Sequence, residues 1–314
     1  MADYSEHLGI IAALSAGMIW GFIGIFVRVA DDLGIAPVQL TCLRYMMIAV
    51  VAGAYILIKD RSLLRIDRRA AAAIAVMGVV GTLLNSATYL QSMTMVSLSL
   101  ASVLQYTAPF FVILLSVPIL KEGLTRNKAV AVAVAFTGCV LCAVADMGPM
   151  NLLGIALGAF SGICFSIYTI EAKVVSKGGY GASTVFFYTS LICCVGLAPF
   201  SDLPAAVGIM ASSTDALLVV VGMGLFITLL PFLLFYYSLT KIEAGKASIL
   251  TYAEPLAATV YGALLYGEEV TVGMAVGIAM IFAALMIVNR RVAPIPGRCG
   301  DRSGSVREGR RGVR

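Results

Sequence analysis

Long apolar runs broken by short polar stretches recur along nearly the whole chain. A helix needs about 17 to 25 apolar residues to cross a hydrocarbon core of about 30 Å. Ten runs meet that length: 9–29, 38–58, 70–93, 98–120, 129–145, 152–170, 183–200, 216–239, 247–266 and 272–288. None alternates apolar with polar positions, as the roughly ten-residue strands of a membrane barrel do, and a backbone crossing lipid must satisfy its own hydrogen bonds. The pattern therefore predicts an all-α polytopic membrane protein of ten transmembrane helices.

Composition agrees with that reading. Of 314 residues 60% are hydrophobic and 12% are charged, against about 25% charged in soluble domains. Met1 to Leu8 carries Asp3 and Glu6 and no Lys or Arg. It lacks the basic opening of a signal peptide, so the first run is expected to remain as a span.

Charge placement predicts orientation. Lys59, Arg61, Arg65, Arg68 and Arg69 fall in the second loop, and Lys121, Arg126 and Lys128 in the fourth. Lys173 and Lys177 fall in the sixth, Lys241 and Lys246 in the eighth, and eight Arg in the tail; together these are 20 of 22 basic residues, all on one side. The positive-inside rule then places both termini in the cytoplasm of a multi-pass protein of the cell membrane, the inner membrane in a bacterium. Asp31, Asp32, Asp146, Asp202, Asp215, Glu268 and Glu269 fall in or beside the opposite loops.

The net charge of +5 resides in the tail, where eight Arg meet only Asp301 and Glu308. The rest of the chain is close to neutral, so basicity gives no reason to expect a nucleic-acid partner. The tail is expected to be disordered, as a topology signal or a polybasic patch on anionic lipid. The seven cysteines are odd in number and six lie in apolar runs, which implies no disulfide framework. Cys139 and Cys142 form a C-x-x-C mid-span without histidine partners, and are read as packing residues rather than metal ligands. No metal and no cofactor is expected.

An internal repeat is the strongest feature. Ala101-Ser-Val-Leu-Gln-Tyr-Thr-Ala-Pro109 aligns with Ala247-Ser-Ile-Leu-Thr-Tyr-Ala-Glu-Pro255 at an offset of 146, with six of nine positions identical or nearly so. Glu122 meets Glu268 and Thr125 meets Thr271 at the same offset. At an offset of 145, Gly9, Ala13, Gly17 and Gly21 meet Gly154, Gly158, Gly162 and Ser166. Two copies of a five-span unit enter the membrane in opposite senses, because five is odd. The expected organisation is a short cytoplasmic N-terminus (1–8), a first repeat (9–146), an inverted second repeat (147–289) and the basic tail (290–314). Inverted repeats recur in secondary transporters, where the halves exchange conformations to alternate access.

The five-span unit, its Ala-Ser-x-Leu-x-Tyr-x-x-Pro segment, and the Lys121-Glu122 and Gly267-Glu268 pairs resemble the EamA domains of the drug/metabolite transporter superfamily. The resemblance covers Gly9 to Asn289. It implies ten helices with both ends cytoplasmic, and export or exchange of amino acids, metabolites or drugs.

Candidate site residues come from the polar groups that the spans carry. A charge at the centre of a membrane helix costs about 2.5 to 3.5 kcal/mol on insertion scales, and two stand out, Arg44 in the second span and Glu254 in the ninth. They are expected to face a cavity or to pair with each other. Glu254 is the candidate for proton coupling. The copies also diverge at informative positions: Glu254 lies opposite Ala108, Gln105 opposite Thr251, and Asn85 opposite Pro231. A site for an asymmetric ligand must diverge between copies, so Asn85, Gln105 and Glu254 are favoured over the matched Tyr106 and Tyr252. Trp20, Tyr89, Tyr168, Tyr236 and Tyr237 are further candidates to line a pocket, Trp20 foremost because it sits mid-span among Gly17, Gly21 and Gly24. Pro109, Pro118, Pro231 and Pro255 are expected to bend the fourth, eighth and ninth spans.

The function these features predict is secondary transport of a small organic solute, with the substrate and the lipid bilayer as partners. A flippase for lipids or lipid-linked metabolites is the second class and would need a lateral opening. An intramembrane enzyme is the third. His7 is the single histidine and lies outside the spans, neither H-E-x-x-H nor G-x-S-x-G occurs, and no Asp lies within a span. The chain is therefore not expected to be an enzyme.

Overall fold

The computed structural model describes residues 2–96, 98–143, 151–266 and 271–289, and all regular structure among them is helical. Eight helices there are long and apolar enough to cross a membrane: Tyr4–Asp32, Pro37–Lys59, Arg68–Met95, Leu100–Leu120, Leu152–Lys177, Ala182–Phe200, Thr214–Lys241 and Val272–Asn289. The two other runs read from the sequence are also helical. One is Arg126–Ala143; the other divides into Ala244–Leu250 and Ala253–Tyr266. Short Leu203–Ser212 adds an apolar helix that the run-counting did not foresee. The basic tail lies outside the described residues.

Local sequence sets where these helices begin. Pro37 occupies a first-turn position, where its missing N–H costs nothing. The Asp67 carboxylate accepts from Ala70 N at 2.6 Å, the Asn151 side chain from Gly154 N at 3.1 Å, and the Ser213 hydroxyl from Ala216 N at 3.2 Å. Each satisfies an N–H that the first turn leaves without a partner.

The long helices are interrupted in matched places. Leu98–Gln105 gives way to Ala108–Leu120 across Tyr106 and Thr107, just before Pro109. Ala244–Leu250 gives way to Ala253–Tyr266 across Thr251 and Tyr252, just before Pro255. Pro118 lies inside Ala108–Leu120 without ending it. Two wider π-type turns cover Met77–Leu84 and Met223–Leu229. In each, a threonine hydroxyl donates to the carbonyl five residues back: Thr82 to Met77 at 3.1 Å, Thr228 to Met223 at 2.7 Å. Pro231 follows the second π turn, as its missing N–H favours, but Asn85 follows the first, so proline alone does not account for the bulge.

Packing joins helices from before residue 146 to helices from after it. Ala2–Trp20 lies on Leu230–Lys241, Asn85–Met95 on Leu152–Lys177, Pro37–Lys59 on Ala182–Leu197, and Arg126–Ala143 on Val272–Asn289. The glycine stripes make these contacts close. A Cβ at Gly17 would sit 3.2 Å from Thr251 O and 3.1 Å from Ala253 Cβ; one at Gly162 would sit 3.1 Å from Gln105 O and 2.5 Å from Thr107 Oγ1. Gly9 likewise meets Lys241 and Ile242 as Gly154 meets Met95 and Val96. Small residues permit this approach where lipid offers no hydrophobic drive to association.

Candidate functional site

The two ends of the bundle differ in chemistry. At one end, interactions tie together loops that carry most of the described basic residues. The Glu122 carboxylate is 8% exposed and accepts from Ala244 N at 2.8 Å and Gly245 N at 3.2 Å. It caps the start of Ala244–Leu250, where an anion meets the positive pole of backbone N–H groups. The Lys173 ammonium donates to the Leu239 and Ile242 carbonyls at the close of Leu230–Lys241. Lys128 pairs with Glu243 at 2.5 Å and donates to Gly123 O, while Lys246 pairs with Glu6 at 2.8 Å. Tyr180 accepts through its hydroxyl from Asp67 N, and Thr184 and Tyr188 donate to Leu63 and Leu64 carbonyls.

A cavity of about 140 Å³ occupies the middle of the bundle. Its lining runs from the mid-depth residues Trp20, Tyr168 and Glu254 to Val27, Pro37 and Met93, close to the ends of their helices at the pole opposite the basic loops. None of the basic-end residues just described lines it. The lining of the cavity thus extends toward the pole opposite the basic loops.

Its walls are mainly aromatic and apolar. Trp20 packs edge-on against Phe165 and Phe232, with centroids 6.3 and 5.3 Å away, and Tyr168 stacks on Phe165 at 5.8 Å. The Arg44 guanidinium lies 5.1 Å from the centroid of Tyr45, in cation–π range. Its Nε is buried with no hydrogen-bond partner, and the same holds for Gln105 Oε1. The Glu254 carboxyl faces the Tyr106 hydroxyl. Tyr106 is in turn held through its own carbonyl, which accepts from the Tyr252 hydroxyl at 2.7 Å. Tyr89 hydrogen-bonds Ser102 at 3.0 Å, and Asn85 Nδ2 donates to Ser161 O at 2.8 Å. Among the described residues no ion pair joins Arg44 to Glu254.

Of the residues singled out from the sequence, Trp20, Arg44, Asn85, Tyr89, Gln105, Tyr168 and Glu254 all line this cavity. Tyr236 does not. It is buried near the basic end, where its hydroxyl donates to Tyr180 O at 2.8 Å. Tyr237 is exposed, with the Lys241 ammonium 5.4 Å from its ring centroid. Tyr106 stands at the cavity although its position is matched between the copies, because one member of the pair faces Glu254 and the other supports it from behind. Sequence reasoning passed over Tyr45, Phe165 and Phe232, which carry no signal beyond apolarity. It also passed over Thr82 and Thr228, which line the cavity within the two π turns. Their separation of 146 residues is the signal that could have found them.

Residues 7–144 and again 152–290 match the EamA-like transporter family. A protein of Archaeoglobus fulgidus described as an uncharacterized transporter is 31% identical over 197 residues, 62% of this chain and 69% of its own length. One of Clostridium kluyveri with the same description is 26% identical over 256 residues, 77% of this chain and 81% of its own. A solved structure superposes with a TM-score of 0.73 at 17% identity, covering 90% of this chain and 96% of that one; a likeness at this identity speaks for the fold alone.

Proposed function

The chain belongs to the EamA-like transporter family, and from that premise we propose that it is a ten-span secondary transporter that carries small organic solutes by alternating access. The observation that carries the reading is the central cavity, with Arg44, Gln105 and Glu254 on its walls and a lining that extends toward one pole. A one-sided cavity in a transporter is one of two states, and the other must open the basic end. The matched contacts of Gly9 on Lys241 and Ile242 and of Gly154 on Met95 and Val96, those of Gly17 on Thr251 and of Gly162 on Gln105, the paired π turns and the paired proline breaks support two halves related by a two-fold axis in the membrane plane. Exchanging the conformations of such halves turns one state into the other.

With the basic end taken as cytoplasmic under the positive-inside rule, this reading assigns the arrangement to the outward-facing state. Glu254 is the proton-coupling residue of this proposal, with the Tyr106 hydroxyl facing its carboxyl. The test is counterflow in proteoliposomes. A panel of labelled metabolites is offered to vesicles preloaded with the unlabelled compound, with wild-type protein and Glu254→Gln in parallel. Transient accumulation above equilibrium is expected for the substrate, with a pH dependence that the variant lacks. Absence of counterflow across the panel in protein that retains its thermal transition would remove the transport reading, and an unchanged pH profile in the variant would remove Glu254 as the coupling group.

A further inference from the structure

The cavity holds polar groups of opposite demand at separate places. Arg44 presents a cationic guanidinium whose buried Nε–H has no acceptor. Gln105 presents a buried Oε1 with no donor, and Glu254 a carboxyl whose facing partner is the Tyr106 hydroxyl. Buried polar atoms left unsatisfied cost about 1 to 3 kcal/mol each; of the three such atoms among the described residues, Asn289 Oδ1 lies away from the cavity and the other two line it, where a ligand can supply the missing partner. The two demands are complementary: one acceptor-rich anionic group for Arg44, one donor-rich cationic group for Gln105 and Glu254.

The charges are also kept apart. No ion pair joins Arg44 to Glu254 among the described residues, and Tyr89, hydrogen-bonded to Ser102, lines the same cavity as both. Trp20, Tyr168, Phe165 and Phe232 give the same cavity its aromatic walls.

We propose that the cavity binds a small zwitterion whose anionic group and protonated amine sit at opposite ends of an apolar body, the anion on Arg44 and the amine on Gln105 and Glu254. The assignment deepens the transport reading and rests on it for its biological sense, but it is tested by binding alone. Substrates whose two charges share one carbon satisfy one pole and leave the other empty. Single-charge molecules of the same length do the same.

Four probes of six carbons separate these cases: 6-aminohexanoate, its isomer L-norleucine, hexanoate and hexylamine. Apparent affinities are read from the concentration dependence of the thermal transition of purified wild-type protein, since a ligand selective for the folded state raises it. 6-Aminohexanoate is expected to bind at least tenfold tighter than each of the other three. Arg44→Gln and Glu254→Gln are each expected to abolish that preference, bringing 6-aminohexanoate to within about threefold of hexylamine and hexanoate respectively. Should either variant fail to fold, Gln105→Leu, which removes one acceptor with little change in volume, is expected to weaken 6-aminohexanoate at least threefold and leave hexanoate unchanged. Equal or tighter binding of L-norleucine, of hexanoate or of hexylamine overturns the proposal, as does stabilisation by none of the four. Because transport is not measured, failure here leaves the counterflow result standing.

Discussion

Replacing Glu122 with glutamine perturbs the basic end at its most buried anion. In the wild-type protein the carboxylate accepts two backbone N–H groups, from Ala244 and Gly245, at 2.8 and 3.2 Å. Hydrogen bonds to a charged group contribute about 1.5 to 3 kcal/mol each. Glutamine keeps one acceptor oxygen and turns an NH₂ toward the second N–H, so about one such bond is lost. The charge at the helix start is lost too, for about a further 0.5 kcal/mol. The loss of about 2 to 3.5 kcal/mol falls on the closed basic end and not on a state in which that end is open. At 1.4 kcal/mol per tenfold, the equilibrium moves toward the open form by about 30- to 300-fold. Trp20 reads the outcome, being the single tryptophan of the chain, a lining residue of the cavity and 5% exposed. Iodide, which does not cross the bilayer, is added to either face of proteoliposomes of defined orientation, and tryptophan fluorescence is recorded. Wild-type quenching is expected from the face opposite the basic loops, and Glu122→Gln is expected to gain quenching from the basic face. If the variant folds with lowered thermal stability yet shows the wild-type pattern of sided quenching, Glu122 holds the fold and not the gate, and the reasoning fails.

Other perturbations test the packing and the bulges. Gly162→Ala places a methyl 2.5 Å from Thr107 Oγ1 and 3.1 Å from two backbone carbonyls. Overpacking of that kind costs about 1 to 3 kcal/mol, so the thermal transition should fall. Gly208→Ala, in the Leu203–Ser212 helix with no atom within 4 Å of the added carbon, should leave it unchanged or raised, since alanine is favoured over glycine in helices by about 1 kcal/mol; equal effects of the two would contradict the close-approach reading. Thr82→Val and Thr228→Val each remove the hydroxyl that bridges a π turn, at an expected loss of about 1 to 3 kcal/mol. Flux should drop by more than thermal stability alone predicts, because the bulge aims cavity residues; unchanged flux in both variants would make the bulges structural ornaments of the helices.

Much of the architecture was legible because each apolar run is long enough to cross a bilayer and has little else it can do. Asn85, Gln105 and Glu254 were legible for a different reason: at those positions the two copies disagree, and all three line the cavity. The end of Leu152–Lys177 was not. Lys173 and Lys177 read as loop residues, yet the helix continues through them, and the Lys173 ammonium finds the carbonyls of Leu239 and Ile242, which lie 66 and 69 residues away in sequence. Tyr236 was misplaced by its composition alone, since a tyrosine that caps a loop carbonyl and one that lines a cavity look the same in one dimension. The π turn at Met77–Leu84 has no proline to announce it. Glu122 read as a family marker, and only the fold reveals that its carboxylate seats on the first turn of a helix from the other half.

The most direct measurement is solute flux with the basic end clamped. Lys128→Cys combined with Glu243→Cys, at positions whose side chains pair at 2.5 Å, is bridged by a short bifunctional methanethiosulfonate in a background free of other cysteines, in proteoliposomes loaded for counterflow. The account predicts that bridging abolishes flux, that reductant restores it, and that the bridged protein still gains thermal stability from the transported solute. Undiminished flux through the bridged protein would contradict alternating access at this end.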